Sequence, residues 1–323
     1  MSRARIGLVT PAGPEANNGN WHTASRWARW LSAHYPVSVC QSWRGEAVDV
    51  MIALHARRSA ASIAAWGAAQ PRRPLIVVLT GTDLYRDIRT DAPAQASLQL
   101  ADRLVVLNER GAAALPSDLH HKVRVCLQSA TARRTLPGKS ATRLRALMVG
   151  HLRPEKAPET FMAAAETLAQ RSDIVFDHVG AALDAELGAQ AQALAARLPR
   201  YRWLGPLPPA AARDRIQRAH VLVQASRMEG GAHTVIEAVM SGTPVLASRI
   251  DGNLGLLGDD YAGCFEVGDA AGLAALLERC RDDPAMLALL RRQCESRAAL
   301  FHPARERATL LGLVAELLEK PTS

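Results

Sequence analysis

Ser226-Arg-Met-Glu-Gly-Gly-Ala-His-Thr-Val-Ile-Glu-Ala-Val-Met-Ser-Gly-Thr-Pro-Val-Leu-Ala-Ser248 places a polar loop, a helix and a strand in one short run. Glu229 is followed by Gly230, Gly231 and Ala232, small enough for a ligand to approach backbone N–H groups at a helix start. Those donors and the helix dipole favour an anion there. From His233 the apolar residues Val235, Ile236, Val239 and Met240 recur at helical spacing until Gly242 supplies a C-cap and Pro244 bars continuation. Val245 to Ala247 resumes as a strand. Glu237 lies about two turns below Glu229, so the two carboxylates reach different parts of one ligand laid across the helix start.

The same alternation extends outward through the chain. Short apolar runs at 6–9, 37–40, 48–54, 75–79, 103–107 and 123–127 are separated by helical patterns, and after a basic, turn-prone segment the rhythm restarts at 144–149, 174–179, 201–204, 221–225 and 245–247. Strands alternating with helices predict parallel sheets with crossover helices. The fold class is therefore α/β, two doubly wound Rossmann-like domains. The boundary falls near Gly138, giving 1–138 and 139–302. An amphipathic helix follows from Pro303, and the segment 303–323 is expected to cross back onto the first domain.

With 323 residues, each domain is long enough to bury its own core. A net charge of +8 favours anionic partners in general. No block of like charges, zinc-finger spacing or aromatic–glycine signature accompanies the Arg residues, so nucleic acid is not an expected partner. Five cysteines without a C-x-x-C pair read as reduced thiols, and no apolar run of membrane-spanning length exists, so a cytoplasmic protein is expected. Trp21, Ala24, Trp27, Ala28 and Leu31 form one stripe of the first helix, with Arg26 and Trp30 outside it. Core packing is the reading adopted, and no stable membrane association is expected.

In such sheets ligands bind at the carboxyl ends of strands, so the loops after each run carry the candidate site. Thr10 to Asn20 is rich in Gly and Asn and includes Asn18, Gly19 and Asn20. His55 ends its strand and is followed by Arg57, Arg58 and Ser59 at the next helix start, where two guanidiniums suit a small phosphate-like dianion. Thr80-Gly81-Thr82-Asp83, Gly150-His151-Leu152-Arg153-Pro154-Glu155-Lys156 and Asp251-Gly252-Asn253-Leu254-Gly255 follow three further strands. No Asp-x-Asp pair and no His/Cys cluster with metal-ligand spacing occurs, so no metal or other cofactor is expected.

The pattern Ser-x-x-Glu-Gly-x6-Glu-Ala-x3-Gly-x-Pro-Val resembles the donor-site motif of the retaining GT-B glycosyltransferases of family 4. The resemblance implies two domains facing across a cleft, the first binding acceptor and the second a UDP-sugar. It implies that Glu229 contacts the donor sugar, Glu237 the ribose, and the amides of Gly230, Gly231, Ala232 and His233 the diphosphate. Arg153 and Lys156 match the family's diphosphate cations, Gly19 a loop that closes over the donor, and Asn253 a loop bordering the donor sugar. His55, Thr82 and Asp83 fall in acceptor-side motifs, with Thr80 where the family commonly has His. One branch is closer still. Residues 10–20, 53–59, 79–85 and 252–258 resemble the selenosugar synthases of selenoneine biosynthesis. That resemblance implies transfer of the sugar of UDP-N-acetylglucosamine or UDP-glucose to selenophosphate, with Asn18, Asn20, Arg57 and Arg58 holding the acceptor. A hydroxyl acceptor and UDP-sugar epimerisation on the same fold are the alternatives.

Overall fold

The computed structural model describes residues 3–16 and 19–319. Contacts divide the chain into two units. Unit 1 comprises Met1–Gln128, Glu229–Gly231 and Pro303–Ser323; unit 2 comprises Ser129–Met228 and Ala232–His302.

Unit 1 contains strands β1 (Ile6–Val9), β2 (Val37–Cys40), β3 (Val50–Leu54), β4 (Leu75–Leu79), β5 (Arg103–Val106) and β6 (Val123–Val125), and helices α1 (Gly19–Leu31), α2 (Ala60–Ala69), α3 (Thr82–Tyr85) and α4 (Ala92–Leu100). Unit 2 contains β7 (Leu144–Val149), β8 (Ile174–Val179), β9 (Tyr201–Trp203), β10 (Val221–Gln224), β11 (Val245–Ser248) and β12 (Cys264–Phe265), with α5 (Pro158–Thr167), α6 (Ala185–Arg197), α7 (Pro209–Arg218), α8 (His233–Val239), α9 (Asp251–Leu257), α10 (Ala270–Asp282) and α11 (Pro284–Ala298). The last helix, α12 (Pro303–Glu319), groups with unit 1.

Both sheets are parallel throughout, in the orders β2-β1-β3-β4-β5-β6 and β12-β11-β10-β7-β8-β9. Their central strands are covered on both faces, which is why Val50–Leu54 and Leu75–Leu79 read as unbroken apolar runs: every residue in them is buried. The apolar runs of the sequence correspond to eleven of these strands. β12 escaped because two residues carry no period to detect.

Side-chain chemistry sets where helices begin. Asp91, Asp184, Asp269 and Asp283 accept from the N–H of Ala94, Leu187, Gly272 and Ala285, capping α4, α6, α10 and α11. In unit 1 the stripe of α1 packs Ala24, Trp27 and Leu31 into a core with Leu310, Leu313, Val314 and Leu317 of α12. Glu306 of α12, 1% exposed, accepts from Trp27 Nε1 at 2.7 Å and Arg26 Nη2 at 2.9 Å. Two donors make burial of that carboxylate tolerable. Arg26 also lies over the Trp30 ring at 5.8 Å. Residues 129–138, placed with the first domain by the sequence reading, pack with unit 2 instead: Ala130 N donates to Phe301 O and Arg133 N to Met240 O. No described helix is long and apolar enough to cross a membrane.

Candidate active site

The start of α8 differs from the capped helices. Its N-cap is Ala232, which has no side chain able to bond the first turn's N–H groups. The loop before it is nevertheless fixed. Gln224 Nε2 donates to Ser226 Oγ at 2.9 Å and Gln224 Oε1 accepts from Thr234 Oγ1 at 3.0 Å, tying strand end to helix start. Ser248 Oγ donates to Ser226 O at 2.6 Å. Asn253 Nδ2 in turn donates to Ser248 O at 2.9 Å.

That last bond corrects an expectation. Residues 251–255 form part of helix α9, not a loop, and Asn253 is 0% exposed. It secures β11 and, through Ser248, the loop at Ser226. Its Oδ1 is buried with no hydrogen-bond partner among the described residues.

Arg153 and Lys156 follow β7. Their charges lie close to His151, whose pKa is lowered first by burial and then by both cations. His151 Nδ1 accepts from Ala181 N at 3.0 Å, fixing the ring. Lys156 packs its methylenes over Gly150, 3.6 Å from where a Cβ would stand. Arg153 Nε is buried without a hydrogen-bond partner among the described residues. His233 Nε2 donates to Ser129 O at 3.1 Å, and its Nδ1 lies 3.7 Å from Glu237 Oε1, one turn on.

Glu229–Gly231 group with unit 1, and the glycines there are required by close approach. A Cβ on Gly230 would stand 2.4 Å from the Thr80 carbonyl carbon; one on Gly81, already at φ +138°, would stand 2.9 Å from Gly230 N. Asn108, 0% exposed, donates through Nδ2 to Gly230 O at 2.7 Å and to Tyr85 OH at 3.0 Å. Sequence reading missed Asn108; a lone Asn after a strand carries no motif. Glu229 itself is half-buried.

The remaining unit 1 candidates surround the end of β3. His55 is buried and sits at φ +74°, a left-handed conformation that a non-glycine residue adopts only when its surroundings impose it. Its Nδ1 accepts from Arg58 N at 3.3 Å, leaving the proton on Nε2, 3.1 Å from Thr82 Oγ1. Burial lowers its pKa, opposed first by Asp83. Asp83 is fully buried: Oδ1 accepts from Thr80 N and Gly81 N at 2.8 and 2.9 Å, and Oδ2 from Ala56 N at 2.9 Å. Expected as an acceptor contact, it ties two strand-end turns together. Arg57 is also engaged, 3.4 Å from Asp87 and 3.8 Å from Asp91, while the Arg58 side chain is exposed. Gly19 and Asn20 open α1, where Gly19 O accepts from Thr23 Oγ1 at 2.8 Å. Asn18 lies outside the described residues.

The family described as glycosyl transferases group 1 matches residues 132–300. The chain belongs to that family. A D-inositol 3-phosphate glycosyltransferase of Streptomyces avermitilis is 29% identical over 287 residues, 84% of this chain and 60% of the relative. This group 1 glycosyltransferase chain therefore spans about 60% of the length of that curated relative. Among solved structures, Anabaena HepE in complex with UDP and glucose superposes with TM-score 0.77 at 16% identity, covering 97% of this chain and all of the other. Sucrose-phosphate synthase of Thermosynechococcus elongatus superposes with TM-score 0.78 at 17% identity, covering 98% and 99%. At these identities the likeness is one of fold, and that fold is GT-B: two Rossmann-like domains, each on a parallel six-stranded sheet.

Proposed function

We propose that the chain is a selenosugar synthase, a UDP-sugar-dependent glycosyltransferase with selenophosphate as acceptor. The donor part of this reading rests on Arg153 and Lys156 at the end of β7 and on the uncapped start of α8. Arg153 and Lys156, with the amides from Gly230 to His233, take the diphosphate charge that grows as the C1–O bond breaks, its electron pair leaving on UDP. Glu229 orients the sugar and Glu237 binds the ribose. HepE, with the same fold, was solved with UDP and glucose.

The acceptor is carried by one observation: the titratable groups around the end of β3 are already committed. Asp83 accepts three backbone N–H groups, Asp87 is paired with Arg57 and Arg86, and His55, its pKa lowered by burial, already accepts from Arg58 N at Nδ1. A hydroxyl nucleophile needs a base to take its proton. Selenophosphate is already an anion: a selenium lone pair forms the C–Se bond at C1, and a cation such as the exposed Arg58 holds the phosphoryl oxygens. A phosphorylated hydroxyl acceptor is the second reading, favoured by the Streptomyces relative named for inositol 3-phosphate.

The deciding experiment measures UDP release from UDP-N-acetylglucosamine and UDP-glucose with and without fresh selenophosphate, followed by mass analysis for a selenium isotope pattern on the sugar. Selenophosphate-dependent release with a selenosugar product supports the reading. Release indifferent to selenophosphate but stimulated by inositol 3-phosphate refutes it in favour of the second, and UDP-sugar isomerisation without acceptor refutes both.

A further inference from the structure

The sheet of unit 2 carries a basic hollow at its other end. Where β7 and β10 begin, opposite the loops that hold Arg153 and Ser226, lies an open hollow of about 220 Å³ lined by Gly138, Lys139, Ser140, Arg145, Arg218 and His220, among others. Each of its titratable groups is basic. Lys139 Nζ donates to Ala219 O and stands 3.5 Å from Thr243 Oγ1. The His220 ring is fixed at both nitrogens, Nδ1 accepting from Arg145 N at 2.9 Å and Nε2 donating to Ser140 O at 3.0 Å.

The charges acting on Lys139 and His220 are positive. Burial, and then Arg291, push the Lys139 ammonium down to about 8. Burial lowers the His220 pKa against the pull of the Ser140 carbonyl, and Lys139, Arg145 and Arg281 lower it further. Asp177 is already shared by three guanidiniums: Arg202 at 2.5 Å, with Arg145 and Arg215 each at 3.8 Å. Arg218 is exposed and makes no ion pair among the described residues. Half-buried Lys139 and His220 stand among cations with no ion pair of their own among the described residues, and a small dianion would relieve the repulsion through charge-assisted hydrogen bonds. The hollow is smaller than the cavities that enclose drug-sized ligands, which selects a compact anion.

We propose that this hollow is an anion-binding site for phosphate or a small phosphomonoester, separate from the donor loops at the other end of the sheet. Lys139, Arg145 and Arg218 supply the donors.

The test follows the ring resonances of His220 by NMR in the full chain, identified by their absence in His220→Gln, while inorganic phosphate is titrated at constant ionic strength. Expected is a saturable shift that chloride does not produce, retained in Arg153→Ala/Lys156→Ala and weakened at least tenfold in Arg218→Glu. Glycerol 2-phosphate is the second probe, and tighter saturation by it identifies the monoester as the source. Arg218→Glu must keep the wild-type thermal midpoint; Arg218→Gln, read the same way, stands in for it otherwise. The proposal is overturned by no saturable shift, by equal affinity in the Arg218 variants, by loss of the response in Arg153→Ala/Lys156→Ala, or by a response to RNA but not to phosphate.

Discussion

The carboxyl ends of the two sheets handle charge in opposite ways. In unit 1 the polar groups after β3 and β4 satisfy one another: Asp83 gathers three backbone N–H groups, Asp87 holds Arg57 and Arg86, and His55 is wedged between them. In unit 2, after β7, Arg153 Nε is buried with no hydrogen-bond partner among the described residues, and the N-cap of α8 is an alanine. A site that leaves donors unspent is poised for an anion, because a buried unsatisfied donor costs about 1–3 kcal/mol until something accepts from it. A site that has spent its groups internally is a rigid shape with few groups left to take up a proton.

The contrast breaks most visibly at the cations. Arg153→Ala/Lys156→Ala is expected to lower kcat/KM for UDP release on the order of a thousand-fold with the fold intact by circular dichroism. A loss under tenfold would remove unit 2's cations from the chemistry. Next, Asp83→Ala strips the acceptor from three buried N–H groups and is expected to cost about 3 kcal/mol of stability in urea unfolding. A near-neutral result would mean that the unit 1 turns do not depend on that carboxylate.

Titration sharpens the comparison inside unit 2. His178 in β8 is buried beside Tyr201, 2.9 Å from its OH, and burial lowers its pKa from 6.5 to about 4. The unfolded chain therefore binds this proton first as pH falls. The associated stability is fully present above pH 6.5 and declines to pH 4 by about 3 kcal/mol. His178→Asn should flatten the urea midpoint over that window, and an unchanged slope would rule His178 out as its source.

Smaller effects separate ligand contacts from supports. Arg58→Ala is expected to raise KM for selenophosphate about tenfold with KM for the UDP-sugar unchanged. An unchanged selenophosphate KM would place the acceptor elsewhere. Asn253→Ala is expected to cost about 1 kcal/mol of stability and to alter UDP affinity by less than threefold; a tenfold loss of UDP affinity with stability unchanged would restore it as a ligand contact.

The difference between Arg153 and Asp83 also marks what was legible in the chain. Both stand in motifs at strand ends, and sequence spacing located both. Spacing could not say that Asp83 turns inward, because three backbone N–H groups from two separate turns converge on it. Nor could spacing say that the Asn253 side chain reaches back to β11, a contact fixed by how α9 packs and not by a pattern in 251–255. Asn108 left no pattern at all.

By itself the sequence determined two parallel sheets, since strands buried on both faces must be apolar throughout and the crossover helices must carry a 3.6-residue period. It determined the loop–helix–strand of 226–248, because Gly, Pro and the apolar period act locally. Only the tertiary structure decided which polar groups are spent and which are open. Hydrogen-bond partners such as Gly230 for Asn108, or Glu306 for Trp27, lie over a hundred residues apart, and pairing at that distance is settled by packing alone.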